Sequence, residues 1–181
     1  MWLRNLDYKL FKLINGLSRQ RVWLDYFGIF CAVYLIWLMA AATLAYFFFL
    51  PQGLHVSWLK KEYTRFRYLL VLLAGTGAAY ALNVLIGFGY GRLRPFASSL
   101  QTNQLISASF IHKSFPSSHA TLAFALAMSV FWFNKTWGIP LLVCAGLVTW
   151  ARVYVGVHYP SDAVVGALLG IVVSYLVYRL V

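Results

Sequence analysis

Residues 68–91 read YLLVLLAGTGAAYALNVLIGFGYG, from Tyr68 to Gly91, without a Lys, Arg, Asp or Glu. A bilayer-crossing helix needs about 20 such residues. In hydrocarbon every backbone N–H and C=O must find a partner within the segment, so a run of this kind predicts a helix. Working outward, Tyr26 to Leu59 is also free of those four residue types. Its core, 22–50, is long enough for a tilted span, and Pro51, Gly53 and His55 predict the turn after it. Ser114–Asn134, Thr136–Ala151 (continuing as helix to about Val157) and Ala163–Tyr178 are three further runs. The expected fold is all-α, a polytopic membrane bundle of about five transmembrane helices.

Composition agrees. The chain is 62% hydrophobic and 10% charged, against about 25% charged in an ordinary soluble domain. That excludes a typical soluble protein, and the aromatic content excludes disorder. Fifteen Lys and Arg against four Asp and Glu give a formal charge of +11. The basic residues lie between apolar runs, as membrane-flanking charges do, so no nucleic-acid partner is expected. Cys31 and Cys144 are isolated within apolar runs and read as small buried hydrophobes.

Residues 1–21 differ. Leu3, Leu6, Leu10, Leu13 and Leu17 recur at helical spacing, with Arg4, Lys9, Lys12 and Arg19 among them. That pattern is too charged to span and predicts an amphipathic helix in the interface rather than a cleaved leader. Residues 1–181 are thus expected as one domain, with 1–21 interfacial and 22–181 forming the bundle. Gly166, Gly170 and Ser174 make a small-residue ridge, read as close packing within the bundle. No internal repeat supports a transporter, and no oligomeric state is assigned.

With five spans, the segments 89–115 and 152–162 fall on one side of the membrane. Phe115-Pro116-Ser117-Ser118-His119 reads as a helix opening, with Pro and Ser near the start and His119 in the first turn. Free N–H groups and the helix dipole favour an anion there. Tyr159-Pro160-Ser161-Asp162 opens another helix on the same edge. Arg152, His158 and Asp162 follow one another closely. Asp162, four residues beyond His158, is placed to fix the imidazole tautomer and leave the other nitrogen as nucleophile. Arg94 and Arg152 are guanidinium forks suited to phosphate. Singly, each residue is explained as a snorkelling cation, an interfacial histidine or a helix cap. Two His, two Arg and one Asp on one side favour a site.

The pattern Arg94-Pro95, then Pro116-Ser117-Ser118-His119, then Arg152-x5-His158-x3-Asp162 resembles the three motifs of the type 2 phosphatidic acid phosphatase (PAP2) superfamily, from about residue 65 onward. The resemblance implies a metal-independent phosphatase with no cofactor. His158 would be the nucleophile that becomes phosphohistidine, His119 the general acid and then base, and Asp162 the group orienting His158. Arg94, Arg152, Ser117 and the backbone at Ser118 would hold phosphoryl oxygens. Three positions depart from the family pattern. Gly87 stands where a Lys is usual, and Arg92 is the expected replacement for its charge. Ser118 stands for Gly, and Ala151 for Ser.

The surroundings of these motifs, Ile14–Ser18, Leu24-Asp25, Arg94–Phe96, Ser114–Pro116 and Arg152–Pro160, look most like the bacterial undecaprenyl-diphosphate phosphatases. Hydrolysis of a lipid diphosphate is therefore expected, with phosphatidylglycerophosphate, phosphatidic acid and lipid A as alternative substrates. The partners implied are a membrane lipid substrate and the bilayer. The location implied is the bacterial inner membrane, with the site facing the periplasm or exterior. Lys and Arg are numerous on both sides, so the positive-inside rule does not orient the chain. Two other readings compete. A metal site of His119, His158 and Asp162 is disfavoured by the adjacent arginines. A non-enzymatic lipid binder would need the arginines but not an oriented nucleophile. The stretch Ala97–Lys113 reads equally as a lid or a solvated loop.

Overall fold

The computed structural model describes residues 2–49, 58–98, 101–108 and 110–181, and the expected turn at Pro51, Gly53 and His55 lies outside them. The described residues form eight helices and no strand: α1 (Trp2–Asn15), α2 (Val22–Val33), α3 (Leu35–Phe49), α4 (Trp58–Tyr90), α5 (Pro95–Ser98), α6 (Ser118–Phe131), α7 (Lys135–Tyr154) and α8 (Pro160–Leu180).

Three of these, α4 with its continuation, α7 and α8, are long and apolar enough to cross a bilayer. A fourth crossing exists if α2 and α3, bent by 47° at their break, count as one. The remaining expected span, Ser114–Asn134, is the shorter α6, with 14 residues, or about 21 Å at the helical rise. The reason is local. The chain is not helical immediately before Ser117, the N-cap, and Ser114 spends its hydroxyl on Asp162 instead of continuing a helix. At the other end the helix stops at Phe131, ahead of Asn134, which caps α7 through Trp137 N–H.

Helix α6 is the centre of the bundle, packed by α3, α4, α7 and α8. Its small residues Ala120, Ala123, Ala125 and Ala127 are fully buried. The ridge on α8 is what permits the approach. A Cβ on Gly166 would stand 2.5 Å from the Ser117 carbonyl, and one on Gly170 would press into that of Thr121. The ridge therefore serves packing inside the bundle.

At the end of the bundle away from the motifs, Arg67 donates to the Tyr178 carbonyl at 3.0 Å and lies 4.7 Å from its ring. Trp132 and Phe133 pack on the same tyrosine. Such amphipathic aromatic clusters belong at the membrane–water boundary.

Gly170→Ala is expected to lower stability by about 1–3 kcal/mol through overpacking. Gly77→Ala, with nothing within 4 Å of the added carbon, is expected to be neutral or slightly stabilising, because a helical glycine loses more entropy than alanine. Melting of both variants in detergent checks the contrast.

Candidate active site

The two distant segments meet as expected. Residues 92–94 run beside 111–114: Arg94 N–H donates to the Ile111 carbonyl and Ser114 N–H to that of Arg92, each at 3.0 Å. Helix α7 ends at Tyr154, and Gly156, with φ of +83°, turns the chain back. A Cβ there would also strike the Asn103 carbonyl at 2.6 Å, so both conformation and space demand glycine. The turn carries His158 to the interior, where it is 2% exposed.

His158 Nδ1 lies 2.7 Å from the Ser114 carbonyl. A carbonyl only accepts, so Nδ1 carries the proton and the neutral ring keeps its lone pair on Nε2. That nitrogen faces Arg94 Nη1 at 3.5 Å. Asp162, expected to make the tautomer-fixing bond, stands 3.8 Å from Nδ1. The correction is that the backbone of Ser114 holds the proton, while Asp162 acts at one remove by accepting from Ser114 Oγ at 2.6 Å. Burial, reinforced by Arg152 and Arg94 and opposed by Asp162, lowers the imidazole from 6.5 to about 4. His158 is therefore neutral at physiological pH.

Arg94 donates through Nε to the Phe110 carbonyl at 2.8 Å and through Nη1 to that of Val157 at 3.2 Å. Arg152 is 6% exposed, donates to the Ala32 carbonyl at 3.1 Å, and leaves its buried Nε without a partner. Ser117 Oγ is likewise buried and unpartnered. Buried polar atoms of Arg65, Arg67, Thr76, Trp132 and Ser174 are unpartnered too, but those of Arg152 and Ser117 are the two at the motif end of the bundle. His119, in the first turn of α6, lies within electrostatic reach of Arg152, His158 and Arg94. Ser118 directs its hydroxyl away, donating to Asn83 Oδ1 at 2.8 Å.

Arg92 is placed differently from the expectation that it binds phosphate. Nη1 donates to Asp162 Oδ1 at 2.5 Å and Nη2 to Asp7 Oδ2 at 2.7 Å. Two carboxylates occupy this guanidinium. At Gly87, the position with the missing Lys, an added Cβ would stand 3.2 Å from Lys113 Cε. The Lys113 stem crosses that space, with its ammonium 4.9 Å from the Phe88 ring.

Sequence reasoning missed Ser114, Asp7 and Asn83. Asn83 is fully buried in α4 and donates to the Pro116 carbonyl at 3.3 Å and Thr121 Oγ1 at 2.9 Å. It thereby pins the opening of α6. A lone amide inside an apolar run was its signal. Within 97–113, Leu105 and Ile106 pack on the core at Tyr154 and Val155, whereas 99–100 and 109 lie outside the described residues. Among the described residues no three His, Cys, Asp or Glu converge on a metal position.

A buried histidine beside arginines that have no carboxylate partner is an arrangement chemically suited to phosphate. The comparisons agree: residues 68–181 match the PAP2 superfamily, and the chain belongs to it. It is 31% identical to the undecaprenyl-diphosphatase BcrC of Bacillus subtilis, over 96% of this chain and 83% of that one. A putative undecaprenyl-diphosphatase of Escherichia coli is 33% identical over 94% and 80%. The fold matches crystal structures of LpxE from Aquifex aeolicus (TM-score 0.68, 24% identity, 96% and 95% covered) and of a transmembrane PAP2-type phosphatidylglycerolphosphate phosphatase from Bacillus subtilis (0.64, 23%, 98% and 85%). The chain is a membrane-embedded phosphatase of the PAP2 type.

The lowered imidazole has a consequence for stability. Unfolded, His158 takes up its proton near 6.5; folded, only near 4. The unfolded state binds more protons between those values, so stability is whole above pH 6.5 and declines as pH falls through 4. Melting in detergent across this window is expected to fall more steeply for wild type than for His158→Gln. Separately, Asn83→Ala is expected to cost about 1–3 kcal/mol by leaving buried partners unsatisfied.

Proposed function

We propose that the chain hydrolyses a polyprenyl diphosphate, undecaprenyl diphosphate being the substrate its relatives' names favour, to the lipid monophosphate and inorganic phosphate. The single observation that carries the chemistry is the pair of unpartnered buried groups, Arg152 Nε and Ser117 Oγ, in a site where His158 Nε2 faces Arg94. The terminal phosphoryl oxygens would complete those groups, together with Arg94 and the free N–H at Ser118.

His158 Nε2 attacks the terminal phosphorus. The N–P bond forms as the bond to the bridging oxygen breaks, and His119 gives that oxygen its proton. Water then attacks the same phosphorus and passes a proton to His119. The N–P bond breaks, its electron pair returns to Nε2, and phosphate leaves. The covalent route divides one difficult displacement into two, and fixed cations stabilise the charge spread over the phosphoryl oxygens. Arg92 positions Asp162 rather than touching phosphate. Lys113, whose ammonium lies 4.9 Å from the Phe88 ring, is the cation proposed for the second phosphate of a diphosphate. The chain works as one unit, with α1 lying in the interface and the bundle in the inner membrane, the site facing the periplasm or exterior.

His158→Ala is expected to lose about a thousandfold or more in turnover while remaining folded, and to trap no acid-labile phosphate where wild type does. Near-normal turnover in that variant would refute the assignment. Lys113→Met is expected to raise KM for the diphosphate more than for a monophosphate lipid. A panel of undecaprenyl diphosphate, phosphatidylglycerophosphate, phosphatidic acid and lipid A in mixed micelles tests the substrate. A tenfold preference for one of the others, about 1.4 kcal/mol, would replace the substrate and leave the catalytic residues standing.

A further inference from the structure

Asp7 has no part in the reaction as written, yet it is the acid most closely tied to the site from outside. It lies on α1, beyond the segment matching the family, and is 8% exposed. Oδ1 accepts from Ser161 N–H at 2.9 Å; Oδ2 accepts from Ser161 Oγ at 2.6 Å and Arg92 Nη2 at 2.7 Å. Arg92 reaches on to Asp162 Oδ1, and its guanidinium lies 4.1 Å from the Tyr159 ring. Asp162 Oδ2 then accepts from Ser114 Oγ, whose own carbonyl holds His158 Nδ1. The contacts run without a gap from the first helix to the nucleophile.

Anchoring α1 would not require a charge. Removing a carboxylate from water costs several kcal/mol unless it is well paired, and Asn15 docks the same helix with neutral bonds to the Asn103 and Tyr154 carbonyls. The charge of Asp7 has a specific effect on Arg92. Shared between two carboxylates, the guanidinium neutralises neither completely, and Asp162 keeps negative charge 3.8 Å from Nδ1. With Asp7 neutral, Arg92 would pair with Asp162 alone. The electrostatic support for positive charge developing on the phosphorylated imidazole would shrink.

We propose that Asp7 is a positioning residue for phosphoryl transfer, holding Arg92 between two carboxylates so that Asp162 stays charged against His158. This rests on the reading of His158 as nucleophile. The outward face of α1, with Leu6, Leu10 and Leu13 exposed, is left for lipid. The polar stripe Asp7 and Asn15 faces the protein.

The test is Asp7→Asn and Asp7→Glu in full-length protein in detergent, with His158→Ala as control and undecaprenyl diphosphate as the probe. Asp7→Asn keeps an oxygen for Ser161 N–H, removes the charge, and puts an amide NH2 where Oδ2 accepted from Ser161 Oγ and Arg92. It is expected to lower kcat about tenfold or more, with KM within about twofold and melting close to wild type. The acid-labile phosphoenzyme should form more slowly in a single turnover, and Asp7→Glu should recover part of the loss. Wild-type kcat in Asp7→Asn overturns the proposal. So does a loss of activity that only tracks a loss of folded protein, which would make Asp7 a structural anchor. If wild type traps no acid-labile phosphate, or His158→Ala turns over normally, the nucleophile reading has failed instead.

Discussion

The carboxylate of Asp162 has no access to water, and satisfying it organises the motif end of the molecule. Oδ2 takes the Tyr159 N–H at 2.9 Å, closing the first turn of α8, and the Ser114 hydroxyl, fixing the non-helical chain before α6. Oδ1 takes Arg92. The Asp162 carbonyl accepts from Ser117 N–H at 2.9 Å, so the two Pro-Ser helix openings are joined directly. A buried carboxylate stripped of any one of these donors would face the desolvation cost that the rest now offset. Its role for His158 follows from this geometry. It holds the segment whose carbonyl holds the ring.

The bilayer accounts for the inverted character of several elements. Helix α1 turns leucines outward and Asp7, Asn15 and Phe11 inward, the reverse of a helix on a soluble domain. Helix α4, 33 residues long, spans about 50 Å, more than the roughly 30 Å of hydrocarbon. Its charged first turns therefore stand in the interface, where Glu62 and Arg65 pair at 3.2 Å. Two polar groups that lie deeper are paired within the bundle. The Tyr68 hydroxyl donates to the Thr43 carbonyl, and Asn83 is satisfied by α6 and its approach.

The spans and the convergence of Arg94, His119, Arg152, His158 and Asp162 were legible because apolar length and helix-opening residues are local properties. What failed to show was set by distant partners. Arg92 reads from sequence as one more cation near a phosphate site; only the docking of α1, 85 residues away in the chain, decides that Asp7 takes it. The Ser114 carbonyl carries no side-chain signature at all. The break between α2 and α3 falls at Tyr34, with neither Pro nor Gly to mark it. Asp7 did leave a trace: an acid in line with Phe11 and Asn15, opposite a leucine face, is an odd choice for a helix whose charges merely face water.

The charge distribution explains why the site should wait for an anion. The chain has four acids. Asp25 is used at the start of α2, accepting from Arg19 N–H at 3.0 Å and the Tyr154 hydroxyl at 2.7 Å. Glu62 lies at the opposite end of the bundle. The remaining two, Asp7 and Asp162, converge on one arginine, and among the described residues Arg94 and Arg152 have no carboxylate within ion-pair distance. Placing both acids on Arg92 removes the ligands that would otherwise close onto Arg94 and Arg152 and compete with substrate. Arg94 and Arg152 are instead held by backbone carbonyls, which orient a guanidinium without neutralising it. On the proposed reading, ground-state pairing is avoided and the attraction is kept for the phosphoryl oxygens on which charge accumulates in the transition state.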